Sequence, residues 1–452
     1  MNASPTHSEF FDRGTPSILR LAGFLSLSGL FATSAILIDA NMVAPIGDET
    51  LAGLGLSAGL YGLFMAVLFG LGSAAQILLT RAFGTGEMGL FYRRQWRFLA
   101  LGLGLSLLLV LLFRFNIHFL VDLLATTSGV GFAAKRYLEL MVYGLPISYA
   151  AYLLSLSFDV RRQASRELRG FIIEVPLNLV LNALLIYGWF GAPELGIKGA
   201  AIATLISQGA RLVYLIGLTI ADYLAGSDKQ KTASEADMPR SVLIPVTLNV
   251  AALIVGAQAY QLLFSQLSYL DFAALALMVP WLSISNVLGR AIALSATISC
   301  ADLEKGSDAM KQTIGSILAA LRLLAPRLAL TFVGITLLVG GLSWHISGAV
   351  RINFLMLIPL AGLLVLIRTA SVTIGAILRA TDRPKWVFWV QVGLLWGFGV
   401  PLLMLLTYLF DLPLYAAFCV LICEEMFRLG IMARRLHKIF APSPSCFQTV
   451  HK

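Results

Sequence analysis

Apolar residues fill long uninterrupted blocks of this chain, and the polar positions collect between the blocks instead of recurring once per turn, as they would on an amphipathic soluble helix. Crossing the hydrocarbon layer of a bilayer takes about 20 helical residues. Blocks at 17–44, 53–80, 95–115, 132–157, 168–190, 196–222, 240–266, 271–299, 313–341, 350–378, 385–409 and 412–433 reach that length. The pattern predicts an all-α membrane protein of twelve transmembrane helices. Residues 1–16 are polar, hold Pro5, Gly14 and Pro16, and lack the build of a cleaved signal, so the first block is expected to stay in the protein.

Positive residues then orient the helices. Arg93, Arg94 and Arg97, then Arg161, Arg162, Arg166 and Arg169, then Lys229, Lys231 and Arg240, and later Arg379, Arg383, Lys385, Arg434 and Arg435 fall at alternate connections. The connections between them hold almost no Lys or Arg. Positive loops stay on the cytoplasmic side, so both termini are expected there. Residues 223–239 are polar and of mixed charge and read as a cytoplasmic linker between an N-lobe (17–222) and a C-lobe (240–433), with a tail at 434–452. An internal repeat supports the division. RQASRE from Arg162 lines up with RATDRP from Arg379, and the same offset sets Glu174 on Gln391 and Arg211 on Arg428. An even number of helices separates equivalent points, so the lobes share one orientation and are pseudo-symmetric, six helices each.

Composition agrees. In 452 residues, 58% are hydrophobic, 13% are charged and the mean hydropathy is +0.84. That excludes a soluble enzyme, a secreted disulfide scaffold, a nucleic-acid module and a disordered regulator. The net charge of +9 becomes a topology marker, not a sign of a polyanionic partner. Cys300, Cys419, Cys423 and Cys446 have no metal-binding spacing. There is no nucleotide-binding glycine loop, and none of the five histidines lies inside a block, so neither ATP use nor intramembrane acid–base catalysis is expected. The expected partners are a small-molecule substrate and the lipid bilayer, with no nucleic acid and no cofactor, for a chain acting as a monomer.

Ionisable groups inside apolar blocks are costly and are the best pointers to function. Asp39, in LFATSAILIDANMVAP, has no basic residue within a turn. It is either an acid at the outer headgroups or a proton or cation site. Asn178 and Asn182, four apart in block five, and Thr204 in block six supply neutral oxygens that could complete a Na⁺ site with Asp39 or tune its proton affinity. At the repeat offset they fall on Leu395, Gly399 and Leu421, so the site is expected in the N-lobe alone. Glu174, Glu424, Glu425, Arg211, Arg290, Arg368 and Arg428 are read mainly as structural charges. Tyr149, Gln258, Gln261, Met278, Trp281 and Trp396 are candidates for a substrate cavity, several of them near Pro146 or Pro280. Asp382, with Arg379 and with Arg162 of the repeated motif, is a candidate for gating at the lobe junction.

Four segments carry a family resemblance: IDANMVAPIGDETLAGLGL, RAFGTGE, NLVLNALLIYGWFGAPELGIKGAAIATLIS and ILRATDRPKW. In that order the chain resembles the multidrug and toxic compound extrusion (MATE) transporters over nearly its whole length. The resemblance implies an inner-membrane exporter of amphiphilic, often cationic compounds in exchange for Na⁺ or H⁺. It places Asp39, Asn178 and Thr204 on the N-lobe cation site and Asn182 where members carry Asp or Asn. It also aligns Asp382 with a family acid. The chain departs from the pattern in lacking a helix 7 Glu found in one branch and in having Arg81 where Gln is common. A flippase for a lipid-linked product is the alternative, and it would want Arg211, Arg290 and Arg368 together on the cavity.

Overall fold

The structure is a computed structural model that describes residues 29–31, 33–161, 163–225, 239–301, 307–342, 346–381, 384–410 and 413–440. Every regular element among them is a helix. The N-lobe comprises α1 (Gly29–Ile46), α2 (Asp48–Gly84), α3 (Met88–Leu124), α4 (Ser128–Met141), α5 (Gly144–Val160), α6 (Ala164–Tyr187) and α7 (Ile197–Ala225). The C-lobe comprises α8 (Arg240–Phe264), α9 (Tyr269–Ala301), α10 (Asp308–Leu342), α11 (Gly348–Thr381), α12 (Pro384–Leu394), α13 (Val400–Phe410) and α14 (Leu414–Phe440).

Two pairs of these helices each form one crossing. The α4–α5 pair bends by 58° at Val142–Tyr143, just before Pro146, which has no N–H to continue a helix but fits a first turn. The α12–α13 pair joins through a π-helical turn at Leu395–Gly399. By length and apolar content ten helices can cross a membrane, and the α4–α5 pair makes eleven. The twelfth crossing is α14, which is less apolar because it carries Glu424, Glu425 and Arg428. Twelve crossings were expected, and their limits agree to within several residues for most. The largest differences are α2 and α3, each 37 residues long, and α14, which continues to Phe440 and so takes in Arg434, Arg435 and Lys438.

The helix surfaces fit a lipid setting. Phe115, Leu330 and Val213 are 82%, 71% and 71% exposed, with many aliphatic neighbours on the same outer faces. In water such a belt would aggregate, whereas against acyl chains it costs nothing. The lobes meet along α2, which packs against α8 and α9. Gly55, Gly59, Gly62 and Gly70 line the contact, so α8 and α9 come close, and Gln261 Nε2 donates to the Gly55 carbonyl at 2.8 Å.

One end of the N-lobe is tied by charge. Arg161, 7% exposed, reaches Asp222 Oδ2 at 2.6 Å through Nη1, and Arg166 Nη1 reaches the same oxygen at 2.6 Å. Arg161 also lies over the Phe158 ring, 4.5 Å from its centroid. The connection between α5 and α6 is thereby held to the end of α7. These are the arginine-rich ends of the helices.

Candidate functional site

Asp39 lies eight residues before Gly47, where α1 gives way to α2, and it is only 6% exposed. The structure brings Asn178, Asn182 and Thr204 to it. Asn182 Nδ2 donates to Asp39 Oδ1 at 2.7 Å, and Thr204 Oγ1 donates to Asp39 Oδ2 at 2.8 Å. Asn182 Nδ2 also donates to Asn178 Oδ1 at 3.1 Å, and Asn178 Nδ2 to Thr204 Oγ1 at 3.3 Å. The four side chains close a ring of hydrogen bonds, and all are buried. The proximity follows from local structure. Asn178 and Asn182 are one turn apart on one face of α6. That helix ends on Gly188 at φ 69°, the left-handed conformation glycine adopts most readily at a C-terminus. The chain then returns as α7, whose Gly199 lies so close to α6 that a Cβ there would come within 2.3 Å of the Leu185 carbonyl oxygen. Thr204 follows one turn and a residue later. The end of α1 is pinned to the same hairpin by Tyr187, whose hydroxyl donates to the Met42 carbonyl at 2.5 Å.

Gly199→Ala therefore forces α6 and α7 apart at a backbone contact that cannot yield by a rotamer change. We expect the variant to lose about 1–3 kcal/mol, seen as a lower midpoint of thermal unfolding in detergent, together with loss of transport.

The donor set is chemically specific. Asp39 has hydrogen-bond donors on both oxygens but, among the described residues, no ion-pair partner. An ionised carboxylate in such a place is stable only with strong compensation, and a proton or a small hard cation supplies it. The oxygens of Asp39, Asn178, Asn182 and Thr204 form an all-oxygen set with a single anionic group, the kind that suits an alkali cation better than a soft metal. Asn182 Oδ1 is buried and makes no hydrogen bond, leaving an unused acceptor beside the ring. Among the described residues no three His, Cys, Asp or Glu side chains gather as a metal cluster. Tyr137 of α4, 7% exposed, lies against Thr204 and near Asp39. Sequence reasoning missed it, because a tyrosine in an apolar block has no spacing that separates a site neighbour from an interface anchor.

The expected cavity residues do not form one group. Tyr149 and Met278 are fully buried, which corrects their reading as cavity lining in this conformation. Tyr149 fills the space at Gly102 and donates to the Phe98 carbonyl at 2.8 Å, and Met278 belongs to the main apolar core. Gln258 and Gln261 face α2 at the lobe contact, opposite Gly62 and Gly59. Trp281 packs against the core, and Trp396, 39% exposed, donates to the Ala252 carbonyl at 3.1 Å. Asp382 and Arg162 lie outside the described residues, and Arg379 is exposed near the end of α11.

The C-lobe has its own buried polar group of a different kind. Glu424 and Glu425 are 3% and 2% exposed. Arg428 pairs with both, and Arg368 Nε reaches Glu425 Oε1 at 2.9 Å. Tyr260 donates to Glu424 Oε2 at 2.5 Å across the space that Gly399 leaves open. Gly399 is the repeat counterpart of Asn182. A cation site was expected in the N-lobe alone; in the C-lobe the buried pair Glu424 and Glu425 each face an arginine. Arg211, Arg290 and Arg368 do not converge as an anion pocket. Arg211 pairs with Glu174 in the N-lobe, Arg368 pairs with Glu425 in the C-lobe, and Arg290 is exposed on α9.

Comparison with known proteins gives a consistent family picture. Residues 25–184 match the MatE family model. "Probable multidrug resistance protein NorM" of Bradyrhizobium diazoefficiens is 29% identical over 202 residues, 44% of this chain and 42% of that protein. The protein of the same description in Burkholderia mallei is 26% identical over 282 residues, 58% of each chain. The chain thus aligns with 42% and 58% of the length of these two curated relatives. The fold matches over far more. A solved structure titled as the inward-facing conformation of a multidrug resistance MATE family transporter of the MOP superfamily aligns with a TM-score of 0.76 over 95% of this chain and 100% of that one, at 14% identity. An outward-facing conformation gives 0.67 over 97% and 99%, at 15% identity. The resemblance to the MATE transporters is borne out by the family model over residues 25–184 and by the fold over nearly the whole chain.

Proposed function

We propose that this chain is a secondary active exporter of amphiphilic organic cations, driven by inward movement of Na⁺ or H⁺ through Asp39. The observation that carries the reading is the closed ring in which Asn178, Asn182 and Thr204 hold a buried carboxylate that has no ion-pair partner among the described residues. Such an acid in a membrane helix costs at least a few kcal/mol, which a purely structural role does not offset. The arginine-rich ends are cytoplasmic, both termini with them, and the membrane is the cell's inner one. The two lobes rock about the α2–α8 contact, and ligation at Asp39 biases α1 between two positions. The protein acts without ATP or a catalytic step. The relatives described as multidrug resistance proteins support the substrate class. A flippase of anionic lipid-linked products is less well supported, because two of the three arginines it would use are already neutralised by glutamates.

The reading is tested by reconstitution in proteoliposomes with imposed Na⁺ or H⁺ gradients and a panel of fluorescent organic cations. One gradient is expected to drive uptake of the dye against its own gradient. No response to either gradient across the panel would overturn it. Within that assay Thr204→Val removes one donor to Asp39 and one oxygen ligand. A lost hydrogen bond to a charged group or oxygen ligand is worth about 1.5–3 kcal/mol, so where Na⁺ is the driving ion its concentration for half-maximal transport is expected to rise at least about tenfold.

A further inference from the structure

Proceeding from Asp39 towards the arginine-rich end of the N-lobe, the polar residues do not stop at Asn178. Glu167, Glu174, Asn178 and Asn182 are spaced by seven, four and four residues and share one face of α6. They cover about 22 Å of helix. On α7 the opposing face carries Thr204, Gln208 and Arg211. Glu174 is 4% exposed, and its Oε2 lies 2.5 Å from Arg211 Nε. Arg211 also donates through Nη1 to Ser155 Oγ at 3.3 Å and lies over the Phe171 ring, 4.3 Å from its centroid. Beyond Arg211, Glu167 interacts with Ser155 and is hydrogen-bonded to Asp159 at the end of α5. Carboxylates thus recur from the middle of the lobe to its arginine-rich end, with one guanidinium set between the inner acid and the outer pair.

We infer that this face is the inward release route of the coupling cation and that the Glu174–Arg211 pair is its gate. The inference rests on the reading of Asp39 as the coupling site. A positive charge between two acids blocks a second cation electrostatically until one acid exchanges its partner. The contact is suited to exchange. Glu174 Oε2 meets Arg211 through Nε, while Arg211 Nη1 is turned to Ser155 on α5, on the side of Glu167 and Asp159. When a cation leaves the ring around Asp39 it meets Glu174 one turn away. Arg211 then turns towards Glu167 and Asp159, and the cation passes to the outer acids. A structural pair at this position would need neither the outer acids nor the polar face that leads to it.

The test uses the full chain in proteoliposomes, with ²²Na⁺ uptake and an internal pH dye read in parallel, so that whichever ion drives the wild type identifies itself. Glu174→Gln is expected to slow entry of that ion at least tenfold, while the external concentration for half-maximal entry stays within twofold, because loading at Asp39 is unaffected. Arg211→Gln is expected to let the ion enter without substrate at five or more times the wild-type leak. The paired Glu174→Gln/Arg211→Gln variant leaves no unpaired buried charge and keeps the assay open if the single variants do not fold. It is expected to show the leak. Wild-type entry and no leak in these variants would overturn the gate, as would failure of all three to fold, which would assign the pair to structure. Asp39→Asn, run alongside, separates the two claims. Coupled ion entry surviving that change would defeat the coupling site itself, whereas loss of coupling there with a wild-type Glu174→Gln would defeat only the route.

Discussion

Asp39→Asn is expected to reduce export of a fluorescent cationic dye to the level of cells without the transporter, while the protein remains in the membrane in normal amount. The change is nearly isosteric, and the ring can absorb it. The oxygen of the new amide still accepts from Asn182. Its nitrogen donates to Thr204 Oγ1, whose own proton then goes to the Ala200 carbonyl, already only 2.9 Å away. What disappears is the one negative charge in the ring, and with it the capacity to bind a proton or to neutralise Na⁺. Efflux at the wild-type rate from this variant, with expression matched on a blot, would contradict the assignment. The fold does not depend on this charge, so thermal unfolding in detergent should change little, and that separates loss of coupling from loss of structure.

The largest effect on stability is expected in the other lobe. Arg428→Leu leaves Glu424 with Tyr260 as its main partner and Glu425 with Arg368 as its remaining ion-pair partner, both acids being almost fully buried. Removing one partner of a buried ion pair costs about 3–5 kcal/mol, because an uncompensated charge stays behind. The variant is expected to unfold at a markedly lower temperature. Combining it with Glu424→Gln removes the stranded charge, so the double variant should recover much of the loss. A single variant as stable as wild type would show that the arginine does not hold these acids in place.

Much of this was readable from the chain because a membrane makes polar residues conspicuous. Asp39, Asn178, Asn182 and Thr204 stand out in apolar blocks, and the four-residue spacing of the asparagines already puts them on one helix face. That α1 crosses next to the α6–α7 hairpin, so that one ring forms, is a matter of packing that no local pattern encodes. The charges of α14 were legible as an internal pair four residues apart, but the reach of Arg368 from α11 and of Tyr260 from α8 was not. Tyr149 and Met278 illustrate the reverse error. A large residue in an apolar block looks the same whether it faces a cavity, lipid or the inside of a lobe, and both turned out to be core. The break at Val142–Tyr143 falls inside the single expected block 132–157; Pro146 follows it closely, but the 58° bend depends on how α4 and α5 pack on different neighbours. Glu174 and Arg211 were visible as in-span charges, and only their pairing across α6 and α7 suggested a gate.

The central claim is that dye leaves as a cation enters through Asp39. It is tested most directly by measuring both fluxes in the same proteoliposomes, with dye on one side and an opposing Na⁺ or H⁺ gradient. Wild-type protein should move one only in exchange for the other, and Asp39→Asn should move neither. Dye transport that proceeds undiminished in Asp39→Asn, or in the wild type after both gradients are collapsed with ionophores, would contradict it.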